Sequence, residues 1–208
     1  SFIVIFCHGL GDTGHGWADV MEMIGEHNQH IKFILPNAPI QPVTINGGYR
    51  MNSWYDIKTL SERGTEDKDD VEKSRAIIEE IIKSEVDAGI PSERIILGGF
   101  SQGAALSLYT FYHSQHKMAG CMALSGYLPL RASFSSLGPN IVNKQQPLIM
   151  FHGEEDQVVR YSWGQLSFET LQTEVGVNGE FITYPFMGHS SSEQEIIDMT
   201  AFVKKRLP

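Results

Sequence analysis

Short apolar runs rich in β-branched and aromatic residues alternate along this chain with longer amphipathic stretches, and that alternation constrains the fold more than any other feature. The runs lie at 2–7, 32–35, 94–100, 120–124, 148–151 and 180–184. Most are apolar at consecutive positions rather than at every second one, so both faces of the sheet they build are expected to be covered. Strands of that kind joined by helices predict an α/β architecture: a mostly parallel central sheet with helices on both faces.

The intervening segments support this. Over 67–88, Val71, Ile78, Ile81, Ile82 and Val86 recur at helical spacing, while Glu72, Lys73, Glu79, Glu80 and Lys83 take the opposite face. Residues 102–113 are rich in Ala and Leu, and 163–175 forms a third candidate. At the C-terminus, Ser192 and Glu195 make an S-x-x-E capping box ahead of an Ile196, Met199, Val203 and Leu207 stripe, with Lys204, Lys205 and Arg206 suited to the end of the helix. Residues 36–64 hold three prolines and three glycines with no sustained period, and read as a long excursion of the kind that forms binding loops or lids. No linker composition, repeat or low-complexity tract interrupts the 208 residues, so one domain is expected.

Charge and motif content remove several functions. With 16 basic and 25 acidic residues the net charge is −9, so a phosphate backbone or an anionic membrane meets repulsion, and nucleic acid is not an expected partner. There is no H-E-x-x-H, paired C-x-x-C or DxDxDG loop, and no metal or other cofactor is expected. Gly9, Gly11 and Gly14 match part of a dinucleotide fingerprint, but a weakly helical H-G-W follows instead of a strong helix start. Cys7 and Cys121 both sit in apolar runs, where buried reduced thiols are the ordinary occupants, and this fits a reducing compartment. No apolar stretch reaches the roughly 20 residues of a membrane helix. Residues 1–7 carry no basic leader or cleavage site, and because the chain opens almost on a strand, a native segment is expected to precede Ser1.

Chemistry points to a serine nucleophile. Gly99-Phe100-Ser101-Gln102-Gly103 is a G-x-S-x-G pentapeptide placed where a strand passes into a helix, the setting a nucleophile elbow requires. The alternative for Ser101 is a simple helix N-cap. A serine hydroxyl needs a base, and the base needs an orienting acid. Of the downstream histidines, His113 and His116 lie at the end of the helix, His152 ends a strand, and His189 lies between the last strand and the last helix, where a loop can bring its ring over the sheet. His189 is therefore the expected base. Glu154, Glu155 and Asp156 all follow the preceding strand, and spacing does not choose among them; the short side chain of Asp156 best suits a fixed partner. For an oxyanion, backbone N–H groups are expected from Gln102 and from Leu10 in the glycine-bounded turn after the first strand.

Taken together, FCHGLGDTGHGWAD, PNAPIQPVTINGGYRMNSWYD, GIPSERIILGGFSQGAALSLY, ALSGYLPL, FHGEEDQVV and YPFMGHS resemble the acyl-protein thioesterase and lysophospholipase family of α/β-hydrolases over nearly the whole chain. The resemblance implies a cytoplasmic enzyme without a cofactor that removes fatty-acyl thioesters from S-acylated proteins, and that also takes lysophospholipids or short esters. It implies transient contact with a membrane surface and a monomer or weak homodimer. By motif it makes Ser101 nucleophile, Asp156 orienter and His189 base, with Leu10 and Gln102 as oxyanion donors. It also implies an apolar acyl channel beside the serine, built from the excursion around Trp54 and Leu60 and from the SGYLPL segment with Tyr127 and Leu128. The chain departs from the family pattern at Ala104, Tyr127, Glu155 and Trp163, positions expected to bear on the acyl site. Residues 133–146 match poorly, and nothing is carried over to them.

Overall fold

Each of the six apolar runs forms a strand in the computed structural model, which describes residues 1–26, 28–60, 66–137 and 140–208. The strands are β1 (Phe2–Cys7), β2 (Ile31–Ile34), β3 (Ile40–Val43), β4 (Tyr49–Asn52), β5 (Ile95–Phe100), β6 (Gly120–Leu124), β7 (Leu148–Gly153) and β8 (Gly179–Tyr184). Six of them make one sheet in the order β2-β1-β5-β6-β7-β8, and all of its pairings are parallel. The central strands are buried almost throughout. The edge strands β2 and β8 are only partly covered, because each has a neighbour on one side alone.

The helices are α1 (Ala18–Glu26), α2 (Lys68–Asp87), α3 (Gln102–His113), α4 (Tyr161–Thr170) and α5 (Glu193–Arg206). Alternate side chains of each strand enter opposite cores. Ile3, Ile5, Leu97 and Cys121 pack with α2 and α3, while Val4, Phe6, Ile96 and Met122 pack with α1 and α5. Both cysteines are free and buried. Asp67 starts α2 by accepting hydrogen bonds from the backbone N–H groups of Asp69 and Asp70. Among the described residues, no helix is long and apolar enough to cross a membrane.

Three features depart from the expected pattern. The excursion contains an antiparallel hairpin of β3 and β4, paired from Ile40 with Asn52 to Val43 with Tyr49. Its alternation is hidden by Pro42 and by exposed Ile40 and Tyr49; the part of the excursion at 61–64 lies outside the described residues. Helix α1 gives no strong sequence signal, since only Met21 and Ile24 of its nine residues are buried. The segment expected as a helix over 163–175 starts two residues earlier, at Tyr161, and its last turn, Leu171–Val175, widens to a π-helix.

The capping box forms by half. Ser192 Oγ accepts from the Glu195 N–H at 3.2 Å, but the Glu195 carboxylate does not reach back and neither of its oxygens has a partner. Glu195 is fully buried. Burial, with the nearby Asp198 charge adding to it, pushes its carboxyl up to about 8. The folded state therefore holds a proton that the unfolded chain releases near 4.5, so stability falls as the pH rises from about 4.5 to about 8. Glu195→Gln is expected to match the parent below that window and to exceed it above pH 8 by about 1–3 kcal/mol, the usual cost of a buried unpaired polar group. Urea unfolding at the two ends of the window measures the difference; equal midpoint shifts at both ends would contradict it.

Candidate active site

Because all six strands of the sheet run parallel, the loops after β1, β5, β7 and β8 all emerge at one edge, where ligands bind in open α/β sheets. Ser101 sits between β5 and α3 with φ 55° and ψ −118°, a backbone conformation that L-residues rarely adopt. Its Oγ makes no capping bond to the helix. Its N–H donates to Leu124 O at 2.9 Å, and its carbonyl accepts from Ala105 N–H at 3.0 Å, so the backbone is fixed on both sides. The flanking glycines allow the turn: a Cβ on Gly103 would lie 2.1 Å from Cys7 O, and one on Gly99 would lie 2.5 Å from the Gly103 backbone.

The side chains of Ser101, His189 and Asp156 converge. His189 Nδ1 lies 2.7 Å from Asp156 Oδ2 and Nε2 lies 3.0 Å from Ser101 Oγ. A carboxylate only accepts, so Nδ1 carries the proton and Nε2 is left to accept from the serine hydroxyl. Asp156 is nearly fully buried, and its Oδ1 accepts from the N–H groups of Val158 and Val159, each at 2.9 Å. Those bonds hold the carboxylate in one rotamer. His189 is held from the side by Phe100, with ring centroids 4.8 Å apart. Of the competing acids, Glu154 bonds Thr183 at 2.8 Å and Glu155 is exposed. His152 is buried, gives Nε2–H to Val159 O at 2.8 Å, and is held neutral chiefly by desolvation. His113 bonds Tyr109 O at 2.7 Å in its own helix.

The turn after β1 lies against the serine. A Cβ on Gly9 would be 3.4 Å from Ser101 Cβ. Neither the Leu10 N–H nor the Gln102 N–H bonds another described residue, and both residues line the cavity around Ser101. Sequence reasoning missed what holds this turn. His8 is fully buried; its Nδ1–H donates to Gly9 O at 2.7 Å and its Nε2 accepts from Ala38 N–H at 3.0 Å. Gly11 N–H donates to Asn52 O at 2.8 Å, which ties the turn to the hairpin. The Gln102 side chain accepts from Trp54 N–H at 2.9 Å and donates to Tyr55 O at 2.7 Å. A buried histidine directly after an apolar strand was the one available signal.

A cavity of about 550 Å³ surrounds Ser101. Leu60 and Tyr127 line it, together with Ile45, Ile57, Val158 and Val159. Trp54, Leu128 and Trp163 are not among its described lining residues. Trp54 is buried behind the site, with its indole N–H donating to His8 O at 2.9 Å. Leu128 is buried and its N–H donates to Ser167 Oγ at 2.8 Å. Trp163 faces Arg160, whose guanidinium lies 5.8 Å from its ring. Of the four departures from the family pattern, Tyr127 alone lines the cavity, where it shares a 2.6 Å hydrogen bond with Tyr55. Among the described residues, no group of three or more His, Cys, Asp and Glu side chains is placed to hold a metal ion.

Residues 1–207 match the model of the phospholipase/carboxylesterase family. The chain is 60% identical over 211 residues to acyl-protein thioesterase 1 homolog 1 of Dictyostelium discoideum, covering 100% of this chain and 92% of that protein. It is 43% identical over 213 residues to acyl-protein thioesterase 1 of Neurospora crassa, covering 99% and 86%. The crystal structure of Arabidopsis thaliana SOBER1 superposes with a TM-score of 0.93 at 30% identity, covering 100% of this chain and 99% of that one. That of Zea mays acyl-protein thioesterase 2 does so with a TM-score of 0.89 at 28% identity, covering 100% and 94%.

The tight packing under the serine yields a direct expectation. Gly103→Ala places a methyl group against two backbone carbonyls, Cys7 O and His8 O, neither of which has a side chain's freedom to move. We expect it to lower stability by about 3 kcal/mol or more, at the upper end of overpacking costs. Urea denaturation measures this, and a change below about 1 kcal/mol would contradict the geometry.

Proposed function

This chain belongs to the phospholipase/carboxylesterase family of α/β-hydrolases and is an ester or thioester hydrolase, and we propose that residues 1–208 act as one catalytic domain that releases fatty acids from S-acylated cysteines of proteins. One observation carries the catalytic reading: the hydrogen-bonded series from Ser101 Oγ through His189 to Asp156, at 3.0 and 2.7 Å, at the wall of an apolar cavity. The names of the relatives support the thioester reading.

In this mechanism Ser101 Oγ attacks the acyl carbonyl carbon while His189 Nε2 takes the hydroxyl proton. Asp156 fixes the tautomer and stabilises the imidazolium. The carbonyl oxygen becomes an oxyanion that accepts from the Leu10 and Gln102 N–H groups, each donor being worth on the order of 10²–10³ in rate. The C–S bond then breaks, the cysteine thiol leaves with the proton from His189, and the acyl group remains on Ser101. Water enters, His189 removes its proton, and collapse of the second oxyanion frees the fatty acid and the serine. The strained backbone of Ser101 presents Oγ before substrate arrives, so the elbow's geometry is set in the folding step.

The acyl chain lies in this reading along Ile57, Leu60 and Tyr127. Ile45, Leu60 and Val158 are both cavity-lining and exposed, which supports transient contact with the surface on which a lipidated substrate resides. Two free buried cysteines support a reducing, cytoplasmic setting.

A fluorophosphonate probe is expected to label the protein, and Ser101→Ala to abolish labelling and lower turnover by on the order of 10⁶-fold. Asp156→Asn is expected to lower turnover by about 10⁴-fold. Retained labelling in Ser101→Ala, or near-normal turnover in Asp156→Asn, would remove those roles. For the substrate class, kcat/KM on a palmitoyl-cysteine peptide is expected to exceed that on lysophosphatidylcholine and on a short aryl ester. The reverse order would make the protein a lysophospholipase or general carboxylesterase.

A further inference from the structure

The lining of the cavity divides on either side of Ser101 according to which core each residue belongs to. Leu10, Ile57 and Tyr127 are continuous with the core under α2 and α3, whereas Trp17 and Phe100 belong to the core under α1 and α5. If the acyl chain lies on the first side, the leaving group lies on the second, because the two substituents of the attacked carbonyl carbon point away from each other. On that second side the lining includes Asp12.

Asp12 is placed rather than incidental. Its N–H donates to Gly9 O at 3.2 Å, within the same turn that carries Leu10. Its carboxylate rests over Gly16, where a Cβ would come within 2.4 Å of both oxygens, so the absence of a side chain at 16 makes room for it. Trp17 beside it is held by Phe6 and Phe100, with centroids 4.8 and 5.2 Å away. Neither carboxylate oxygen makes a hydrogen bond or ion pair with another described residue. Among the described lining residues there is no lysine or arginine, and Asp12 carries the one formal charge when His189 is neutral.

We propose that Asp12 is a specificity-determining residue that binds a cationic group on the leaving side of the substrate, a lysine or arginine side chain next to the acylated cysteine. The inference rests on Ser101 as nucleophile. A carboxylate with no internal partner, half-buried beside the Trp17 ring, attracts a cation more strongly than it would in open solvent. It also repels an anionic leaving group, so thioesters of phosphate-bearing thiols are disfavoured. For one partly solvated charge pair the effect on kcat/KM is about fivefold to tenfold.

The test uses two octanoyl-cysteine peptides that differ only in Lys or Glu beside the cysteine, with the parent protein, Asp12→Asn and Asp12→Lys. The parent is expected to favour the Lys peptide about fivefold to tenfold, with the ratio shrinking as salt is added. The ratio is expected to approach one in Asp12→Asn and to invert in Asp12→Lys. Fluorophosphonate labelling of each variant reports an intact site; should Asp12→Lys fail to fold, the near-isosteric Asp12→Asn carries the comparison. A parent ratio that persists in a labelled Asp12→Asn overturns the proposal while leaving the nucleophile assignment intact. Absence of turnover on both peptides by a labelled parent protein overturns the thioesterase reading, and labelling retained in Ser101→Ala overturns the nucleophile assignment. Comparing lysophosphatidylcholine with lysophosphatidylglycerol separates the source of the cation: an Asp12-dependent ratio for the lipids and none for the peptides overturns the peptide assignment.

Discussion

The contact on which the rest of the site depends is the approach of α3 to the end of β1. Gly103 lies so close to the Cys7 and His8 carbonyls that no side chain fits between them. With the helix start pressed onto the sheet, the chain leaving β5 has one residue in which to reverse, and Ser101 takes the left-handed φ of 55°. The strain is held by the Ser101 N–H bond to β6 and by the first turn of α3, so the surrounding structure over-determines it. The same approach brings the β1 turn under the serine. The serine's backbone conformation, the turn after β1 and the helix start are therefore consequences of one packing decision made by two glycines.

Buried polar groups then convert that packing into a fixed site. His8 bridges Gly9 and Ala38, and Gln102 bridges Trp54 and Tyr55. Ser74 donates to the Trp54 carbonyl from α2, and the Trp54 indole donates to the carbonyl of His8. All of these links except His8 to Gly9 join segments distant in sequence, and each satisfies a backbone group that would otherwise be buried without a partner. Trp54, expected beside an acyl channel, braces the turn after β1 through its bond to the carbonyl of His8.

What was legible in the sequence follows from how local its cause is. Strands β1, β6 and α3 matched their expected bounds because continuous apolarity and Ala/Leu content are local consequences of double-sided burial. Ser101, Asp156 and His189 could be proposed as partners because a parallel sheet sends the ends of β5, β7 and β8 to one edge, and chain order alone then brings them together. The hairpin was not legible, since β3 and β4 pair mainly with each other and owe little of their pattern to a core. Nor was the cavity wall: whether an aromatic residue faces a cavity or a core depends on tertiary rotation, and a tryptophan satisfies either. The capping box failed by half for the same reason, because Glu195 belongs at once to a helix start and to a buried face.

The division of the cavity between two cores has a consequence for how such a site varies. One side of the cavity ends in Tyr127, whose hydroxyl is tied to Tyr55 and whose neighbours continue into the α2 and α3 core. The other side ends in Trp17 and Phe100, which continue into the α1 and α5 core and reach His189 through Phe100. Since the sheet separates the two cores, a volume change near Tyr127 relaxes into one of them and leaves the ring stack behind His189 in place. Substitutions that are far apart and share no partners act nearly additively. The wall near Tyr127 can thus be reshaped without disturbing Asp12 and Trp17, whereas Phe100, which touches both Trp17 and His189, cannot change without moving the imidazole.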